Sequence, residues 1–460
     1  MRISVKKLIL TLACIIVSNF IIVNYFYINE GSYSLDFAFQ SDKDEEVQIF
    51  YNKKEDKEDW KEQNSIKVNY NHNEKLKNIN IEIPLDSLYL RFDFGNNEGI
   101  KNISDIRLSY KTYNTILDKN IFIDKNNQQN IKSLEYFNGN FQLIAENSDP
   151  FIVFKLSDTI YSSIYNQYRI LNLTVQIILC CIIDIIIMLC IKHIYPLYEL
   201  FHNLFKDKTL MWRLSKNDFK TKYAGSYLGI IWAFIQPIVT ILVYWFVFEY
   251  GLKNGSPIEG VPYILWFIAG LVPWFFIQEA INSGTSSLVD YSYLVKKIVF
   301  NIDILPIVKI ISSFYVHLVF IGFAIIMFIL KGNLLNVYSL QLFYYIFCTI
   351  FLLIGVSYIT CSIYAFFKDL SQIIGIILQI LMWMTPILWS NTILTGNLRL
   401  LAVLNPIFYI TEGYRDSLIN KVWFWDKPIQ SLYFWCFTIV MLVVGSTVYK
   451  KLKQHFADVL

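Results

Sequence analysis

The 460-residue sequence contains no Gly-Lys dipeptide, and therefore no Gly-x-x-x-x-Gly-Lys-Ser/Thr loop. That removes the usual way for a chain to cradle nucleotide phosphates in its own backbone. Histidine is scarce, five in all, and no His-Glu-x-x-His or Cys/His spacing occurs, so no metal-ligand pattern is present. His317, the lone mid-span histidine, reads as a packed or hydrogen-bonded residue. Charge is scarce too: 17% of residues are Asp, Glu, Lys or Arg against 55% hydrophobic, and the mean hydropathy is +0.41. An ordinary soluble enzyme of this size is excluded by that balance. The seven cysteines all lie in apolar stretches and none falls in residues 30–168, so no disulfide framework holds that polar region together. The net charge of +3 gives no case for nucleic-acid binding.

What the chain does have is long hydrophobic runs. A helix that crosses a bilayer needs about 20 mainly apolar residues, and eight segments meet that length: Leu8–Asn29, Ile170–Ile191, Tyr227–Phe248, Gly260–Gln278, Ile310–Leu330, Leu340–Phe367, Ser371–Ser390 and Ile429–Tyr449. The last six contain no Lys, Arg, Asp or Glu. Asp184 is the one acid inside a span, and its cost in hydrocarbon predicts that it faces protein, water or a cation. If the spans alternate, the cytoplasmic pieces carry 17 Lys or Arg, and seven remain elsewhere outside residues 30–168. That bias places both termini in the cytoplasm and residues 30–168 outside. The first run is read as a retained anchor, because no small-x-small site precedes Glu30; a cleaved signal peptide is the competing reading.

Residues 30–168 differ physically from the rest, with 23 acids and 16 bases, net −7, against 14 acids and 24 bases elsewhere. Alternating runs such as Ile79–Ile83, Leu88–Phe94 and Phe151–Phe154 are separated by Asn, Asp, Lys and Gly clusters, which predicts an antiparallel β-sandwich. The stretch from Leu90 to Leu108 resembles the jelly-roll modules of bacterial glycan-binding proteins. Trp60, Tyr70, Tyr110 and Tyr113 are candidate sugar-stacking platforms, or else core aromatics of the sandwich.

Trp212–Tyr223 mixes aromatic and basic residues just before a span, the pattern of an amphipathic helix at the inner interface. Gly225–Pro237 (GSYLGIIWAFIQP), Leu294–Pro306 (LVKKIVFNIDILP), Phe367–Leu370, Thr385–Trp389, Leu404–Tyr409 and Gly413–Leu418 follow in order. Together these resemble the ABC-2 type permeases that export polysaccharides such as O-antigen, teichoic acid or capsule, over about residues 200–460. The fold expected is therefore an α-helical polytopic membrane protein of about eight spans with an inserted extracellular β-sandwich-like domain. Its parts are an anchor helix (1–29), the inserted domain (30–168), a second span (169–192), a cytoplasmic interfacial segment (193–226), a six-span permease (227–449) and a cytoplasmic tail (450–460).

The resemblance implies a homodimer with two copies of a separate ATP-binding cassette subunit, which binds the ATP and Mg that this chain does not. It also implies a bacterial cytoplasmic membrane, membrane lipids around the spans and a lipid-linked polysaccharide as substrate. ATPase coupling is expected at Asp290, Lys296, Lys297, Phe300 and Asn301, and along the interfacial helix at Trp212, Asp218, Phe219, Lys220 and Tyr223. Pathway candidates are Tyr244, Trp245 and Phe248 on one span and Gln379, Met382, Trp383 and Pro386 on another, where spacings of three and four share a helix face. A re-entrant outer gate is expected at Asn405, Pro406, Glu412, Arg415 and Asp416, with Arg415 pairing to Glu412 or Asp416. The alternatives are an exporter of drugs or small lipids on the same scaffold, a membrane glycosyltransferase, and a wall-polymer receptor. The nearly charge-free spans offer no gathered acid/base residues for a transferase, and six extra spans are unnecessary for a receptor.

Overall fold

The computed structural model describes every residue except 1–4, 28–30, 54–59, 74–75, 138, 147–148, 223–226, 252–257, 259, 297–299, 334–335 and 395. The chain forms two compact units, Phe26–Ile178 and Met1–Tyr25 with Leu179–Leu460. The helices in chain order are α1 (Val5–Tyr25), α2 (Lys119–Ile123), α3 (Asp158–Lys192), α4 (Ile194–Lys206), α5 (Lys208–Lys222), α6 (Trp232–Trp245), α7 (Tyr263–Asp290), α8 (Ser292–Val295), α9 (Leu305–Leu330), α10 (Leu342–Phe366), α11 (Leu370–Met384), α12 (Gly396–Val403), α13 (Pro406–Arg415), α14 (Pro428–Leu452) and α15 (Phe456–Val459).

The smaller unit holds two antiparallel sheets. One runs β10-β11-β6-β1-β7-β8 with β4 also paired to β1; the other runs β3-β2-β5-β12-β9. Their strands are β1 (Ser32–Ser41), β2 (Glu45–Lys53), β3 (Ser65–Tyr70), β4 (Lys77–Pro84), β5 (Ser87–Asp93), β6 (Gly99–Ser104), β7 (Arg107–Tyr110), β8 (Tyr113–Ile116), β9 (Gln128–Gln129), β10 (Ile131–Phe137), β11 (Asn140–Ala145) and β12 (Phe151–Lys155). The period of two fixes the register. Leu35 on β1 pairs with Ile81 and Leu108, Phe92 on β5 pairs with Ile49 and Ile152, and all six are buried. Phe37 meets Phe92 across the sheets at 5.7 Å, and Phe122 from α2 plugs the same core against Phe141 and Phe154 at 5.1 and 4.9 Å. Each such ring contributes on the order of 1.5–3 kcal/mol by leaving water. Tyr70 and Tyr110 belong to this core, 3% and 6% exposed, with Tyr70 edge-on to Phe39. They are not sugar platforms, because both rings are buried in the core. Trp60 and Tyr113 are half-buried, Trp60 against Phe50.

The larger unit is helical, which makes the whole a polytopic membrane protein with an inserted β-rich domain. Among the described residues, six helical stretches are long and apolar enough to cross a membrane: Asp158–Lys192, Trp232–Gly251, Tyr263–Asp290, Ile302–Leu330, Val337–Phe366 and Pro428–Val459. Two shorter apolar helices, Ile9–Tyr25 and Leu370–Met384, accompany them. The last corrects the expected span Ser371–Ser390. α11 ends at Met384 because Pro386 disfavours a helical residue before it, and Thr385 sits extended at φ −80°, ψ 133°. Fifteen residues rise about 22 Å, short of the ~30 Å hydrocarbon core.

α7 is the hub. It is apolar all round from Tyr263 to Trp274 and buried throughout that stretch, packed by α9, α10 and α13. It also outruns the expected span: no helix breaker follows Gln278, so it continues to Asp290 and carries Glu279 and Asn282 with it. α10 and α14 cross at two glycines, where a Cβ on Gly445 would stand 2.6 Å from the Gly355 carbonyl. Only small residues permit that approach.

Candidate functional site

At one end of α7 four charged or phenolic groups converge. Lys309 on α9 bridges Asp218 of α5 at 2.9 Å and Asp290 of α7 at 3.0 Å. The Tyr291 hydroxyl donates to Asp218 at 2.7 Å and Ser286 donates to Asp290 at 2.9 Å, while the Lys309 ammonium lies 5.1 Å from the Tyr291 ring. Trp212 and Phe219 of α5 both meet Tyr315 of α9 edge-on, at 5.7 and 5.6 Å. These contacts tie α5 to the ends of α7 and α9. Lys222 pairs with Glu279 beside them.

A second polar cluster holds the far side of the same connection. Asp303 receives Lys453 at 2.5 Å and Asn203 at 2.9 Å, and its carbonyl accepts from the Tyr358 hydroxyl at 2.5 Å. Asn301 caps this turn through the amide of Asp303 and donates to Asp207 at 2.7 Å. Phe300 packs against the helical core, whereas Lys296 and Lys220 are exposed. Lys297 and Tyr223 lie outside the described residues. Thus Asp218, Asp290, Trp212 and Phe219 are brought together, with Asn301 in the second cluster. Lys309, Tyr291, Asp303 and Lys453 were missed in the sequence reading: their partners are distant in the chain, and a basic residue at a span edge reads simply as a topology anchor.

Two cavities run along α7. One, of about 530 Å³, is lined by aromatic residues including Trp232, Tyr244, Phe275, Phe276 and Phe320, with Thr240, Gln278 and Met382. The other, of about 450 Å³, is lined by polar side chains alone, among them Asn282, Ser283, Ser286 and Ser312. Lys222, Glu279, Asn282 and Ser313 line both. Of the pathway candidates, Tyr244 and Met382 face the aromatic cavity. The others do not join them there. Phe248 stacks on Tyr263, Trp245 donates to Glu249, Gln379 and Trp383 lie on the exposed face of α11, and Pro386 is buried.

At the other end of α7, roughly 30 Å away by helical rise, α13 carries a guanidinium that is 1% exposed. Arg415 donates to the carbonyls of Pro386 and Ile387 at 2.6 and 2.9 Å and to Glu412 at 2.6 Å, and lies 3.6 Å above the Trp266 ring. The planar fork matches these acceptors, which are the carbonyls freed where α11 unwinds. Gly270 makes room, since a Cβ there would meet Nη2 at 2.7 Å. Asn405 caps α13 through the amide of Ile407 at 3.0 Å and donates to Thr385 at 2.7 Å, with Pro406 at the first helical position. Asp416 pairs with Lys427 rather than Arg415. His317 hydrogen-bonds the Tyr414 hydroxyl at 2.9 Å and stacks on Phe276 at 4.6 Å. Among the described residues no cluster of His, Cys, Asp and Glu has the makings of a metal site. Inside the larger unit, Asp184 accepts from Asn19 at 3.2 Å.

Residues 209–419, which span α5 to α13 and both ends of this arrangement, match the ABC-2 type transporter family. They form an ABC-2 type transporter membrane domain. The chain is similar to O-antigen export system permease protein RfbA of Klebsiella pneumoniae, 24% identical over 250 residues, which is 54% of this chain and 93% of the relative. A second such protein from that organism is 23% identical over the same shares. The Myxococcus xanthus protein of that name is 22% identical over 262 residues, 56% of this chain and 98% of its own length. The ABC-2 domain thus includes the Lys309 cluster, both cavities and the Arg415 anchor. The β-rich unit lies outside the matched segment.

Proposed function

We propose that this chain is the membrane subunit of an ATP-driven exporter of a lipid-linked cell-surface polysaccharide of the O-antigen, teichoic acid or capsule kind. The observation that carries the reading is the similarity to O-antigen export permeases over 93–98% of their length. The aromatic cavity along α7 supports it, because flat apolar faces accept sugar rings in passing without the directional bonds that would hold them. Two copies of the chain pair around the pathway, and each engages one copy of a separate ATP-binding subunit, which supplies ATP and Mg.

The basic excess of the connecting pieces orients the protein in a bacterial cytoplasmic membrane with both termini inside and residues 30–168 outside. The ATP-binding subunit then docks near Lys296, Lys297 and Lys220. The Lys309 and Asp303 clusters flank residues 291–302 and pass its movement to α5, α7, α9 and α14. At the outer side Arg415 holds the re-entrant α13 to α7, and Asn405, Pro406, Glu412 and Asp416 set its start and its end.

Purification of the full chain from native membranes in a mild detergent tests this assembly. The expected result is a two-plus-two complex with a nucleotide-binding subunit whose ATP hydrolysis depends on Lys309. A monomer that never associates with an ATPase contradicts it.

A further inference from the structure

Resting on that reading, we propose that the polar cavity between α5, α7 and α9 is a binding site for a neutral, hydroxyl-rich sugar unit, occupied before the polymer enters the aromatic cavity. The surface of α7 shows why. Gln278 and Glu279, then Asn282, Ser286 and Asp290, follow at steps of three or four residues on one face that lines the two cavities for much of a bilayer's thickness. Such a stripe is costly in hydrocarbon and is kept where it meets water or a ligand. The amide of Asn282 has no hydrogen-bond partner among the described residues, which leaves a donor and an acceptor on the wall of the polar cavity for a hydroxyl group, while that of Gln278, likewise without one, lines the aromatic cavity. Ser312 and Ser313 of α9 line the cavity as well.

The charge decides against an anionic ligand. Two ammonium groups, Lys222 and Lys309, face three carboxylates, Asp218, Glu279 and Asp290, and both lysines are engaged in ion pairs. Among the described residues that line the cavity, no cation is left over for a phosphate. The Lys222–Glu279 pair stands where the two cavities share their wall. Its side chains are 38% and 41% exposed. A pair so exposed is weak and opens at small cost, which suits a latch between a chamber that recognises sugar hydroxyls and one that lets sugar faces slide.

The test uses the full chain in inside-out membrane vesicles, with Thr221→Cys as a reporter on the cavity wall. None of the seven native cysteines lines either cavity, so wild-type vesicles give the background. The rate of maleimide labelling is followed with the neutral oligosaccharide fraction released from the host's surface polymer, and separately with inorganic pyrophosphate. The expected result is roughly fivefold slower labelling at an oligosaccharide concentration of about four times Kd. Pyrophosphate should have no effect, and Asn282→Leu in the reporter background should raise the half-protecting concentration about tenfold. Protection by pyrophosphate, absence of protection by the oligosaccharide, or unchanged protection in Asn282→Leu overturns the inference. Surface polymer measured in the same cells separates the two readings: if depleting the chain abolishes the surface polymer while the cavity shows no protection, export stands and the sugar site falls.

Discussion

Replacing Arg415 by leucine removes a buried donor fork from four acceptors, the most distant being the Trp266 carbonyl at 3.4 Å. The buried carbonyls of Pro386 and Ile387 and the partly exposed Glu412 carboxylate, now at 2.6–2.9 Å, lose their partner. Each buried group left unpaired costs about 1–3 kcal/mol, and breaking a buried ion pair on one side costs about 3–5 kcal/mol. The ion-pair term alone gives a loss of roughly 4 kcal/mol, which for a domain of this size lowers the thermal midpoint by at least about 10 °C. The assay is the fraction of detergent-solubilised protein that stays monodisperse after heating. Arg415→Lys keeps the charge but not the planar fork, so it should fall between wild type and Arg415→Leu. Gly270→Ala should reproduce part of the loss from the other side, because its methyl displaces Nη2. If Arg415→Leu melts within about 2 °C of wild type, the guanidinium is not what fastens α13 to α7.

Other outcomes follow from the same contacts. Lys309→Met leaves Asp218 and Asp290 facing each other without their shared cation; it should cut ATP-driven export about tenfold or more while the ATP-binding subunit still copurifies. In the β-rich unit, Glu45 pairs with a fully buried Lys101 at 3.0 Å, and Glu45→Ala should destabilise that unit by about 3–5 kcal/mol, read as earlier cleavage in limited proteolysis. Burial holds the Lys101 ammonium below its ordinary value, against the opposing pull of Glu45. The unfolded chain, with a lysine pKa near 10.4, then binds more protons between the two values, so this group's stability contribution is complete above about 10.4 and is lost as pH falls through the lowered folded value. Protease resistance of the unit should therefore rise toward alkaline pH in wild type and change less in Lys101→Met. Tyr70→Ala and Tyr110→Ala should loosen the whole β-rich unit rather than selectively weaken glycan contact, since both rings are buried.

The parts of this architecture that depend on local pattern were legible in the residues. Uncharged runs marked the long helices, and alternation in Leu88–Phe94 marked a central strand whose neighbours proved equally apolar. The i to i+3 spacing offered Glu412 to Arg415. Hydropathy misplaced helix ends where backbone rules decide them: it ran α11 past Met384, although Pro386 forces an extended residue before it, and it stopped α7 at Gln278, although nothing there breaks a helix. It therefore missed that Glu279 and Asn282 ride on the central helix. Partners set by tertiary folding were out of reach. Lys309 meets Asp218 across 91 positions, and Arg415 meets the backbone carbonyls of Pro386 and Ile387, which no side-chain pattern encodes. The aromatic residues of Tyr244–Phe248 looked equivalent on paper; in the fold Tyr244 turns to the cavity while Phe248 packs on Tyr263.

The central claim is export of a lipid-linked polymer, and its most direct test is the location of that polymer when the chain is depleted. Cells are fractionated, and lipid-linked glycan exposed at the surface is compared with that confined to the inner leaflet. The account predicts accumulation inside and loss outside, restored by the wild-type chain. Surface glycan that stays at its normal level, with no inner-leaflet build-up, contradicts it.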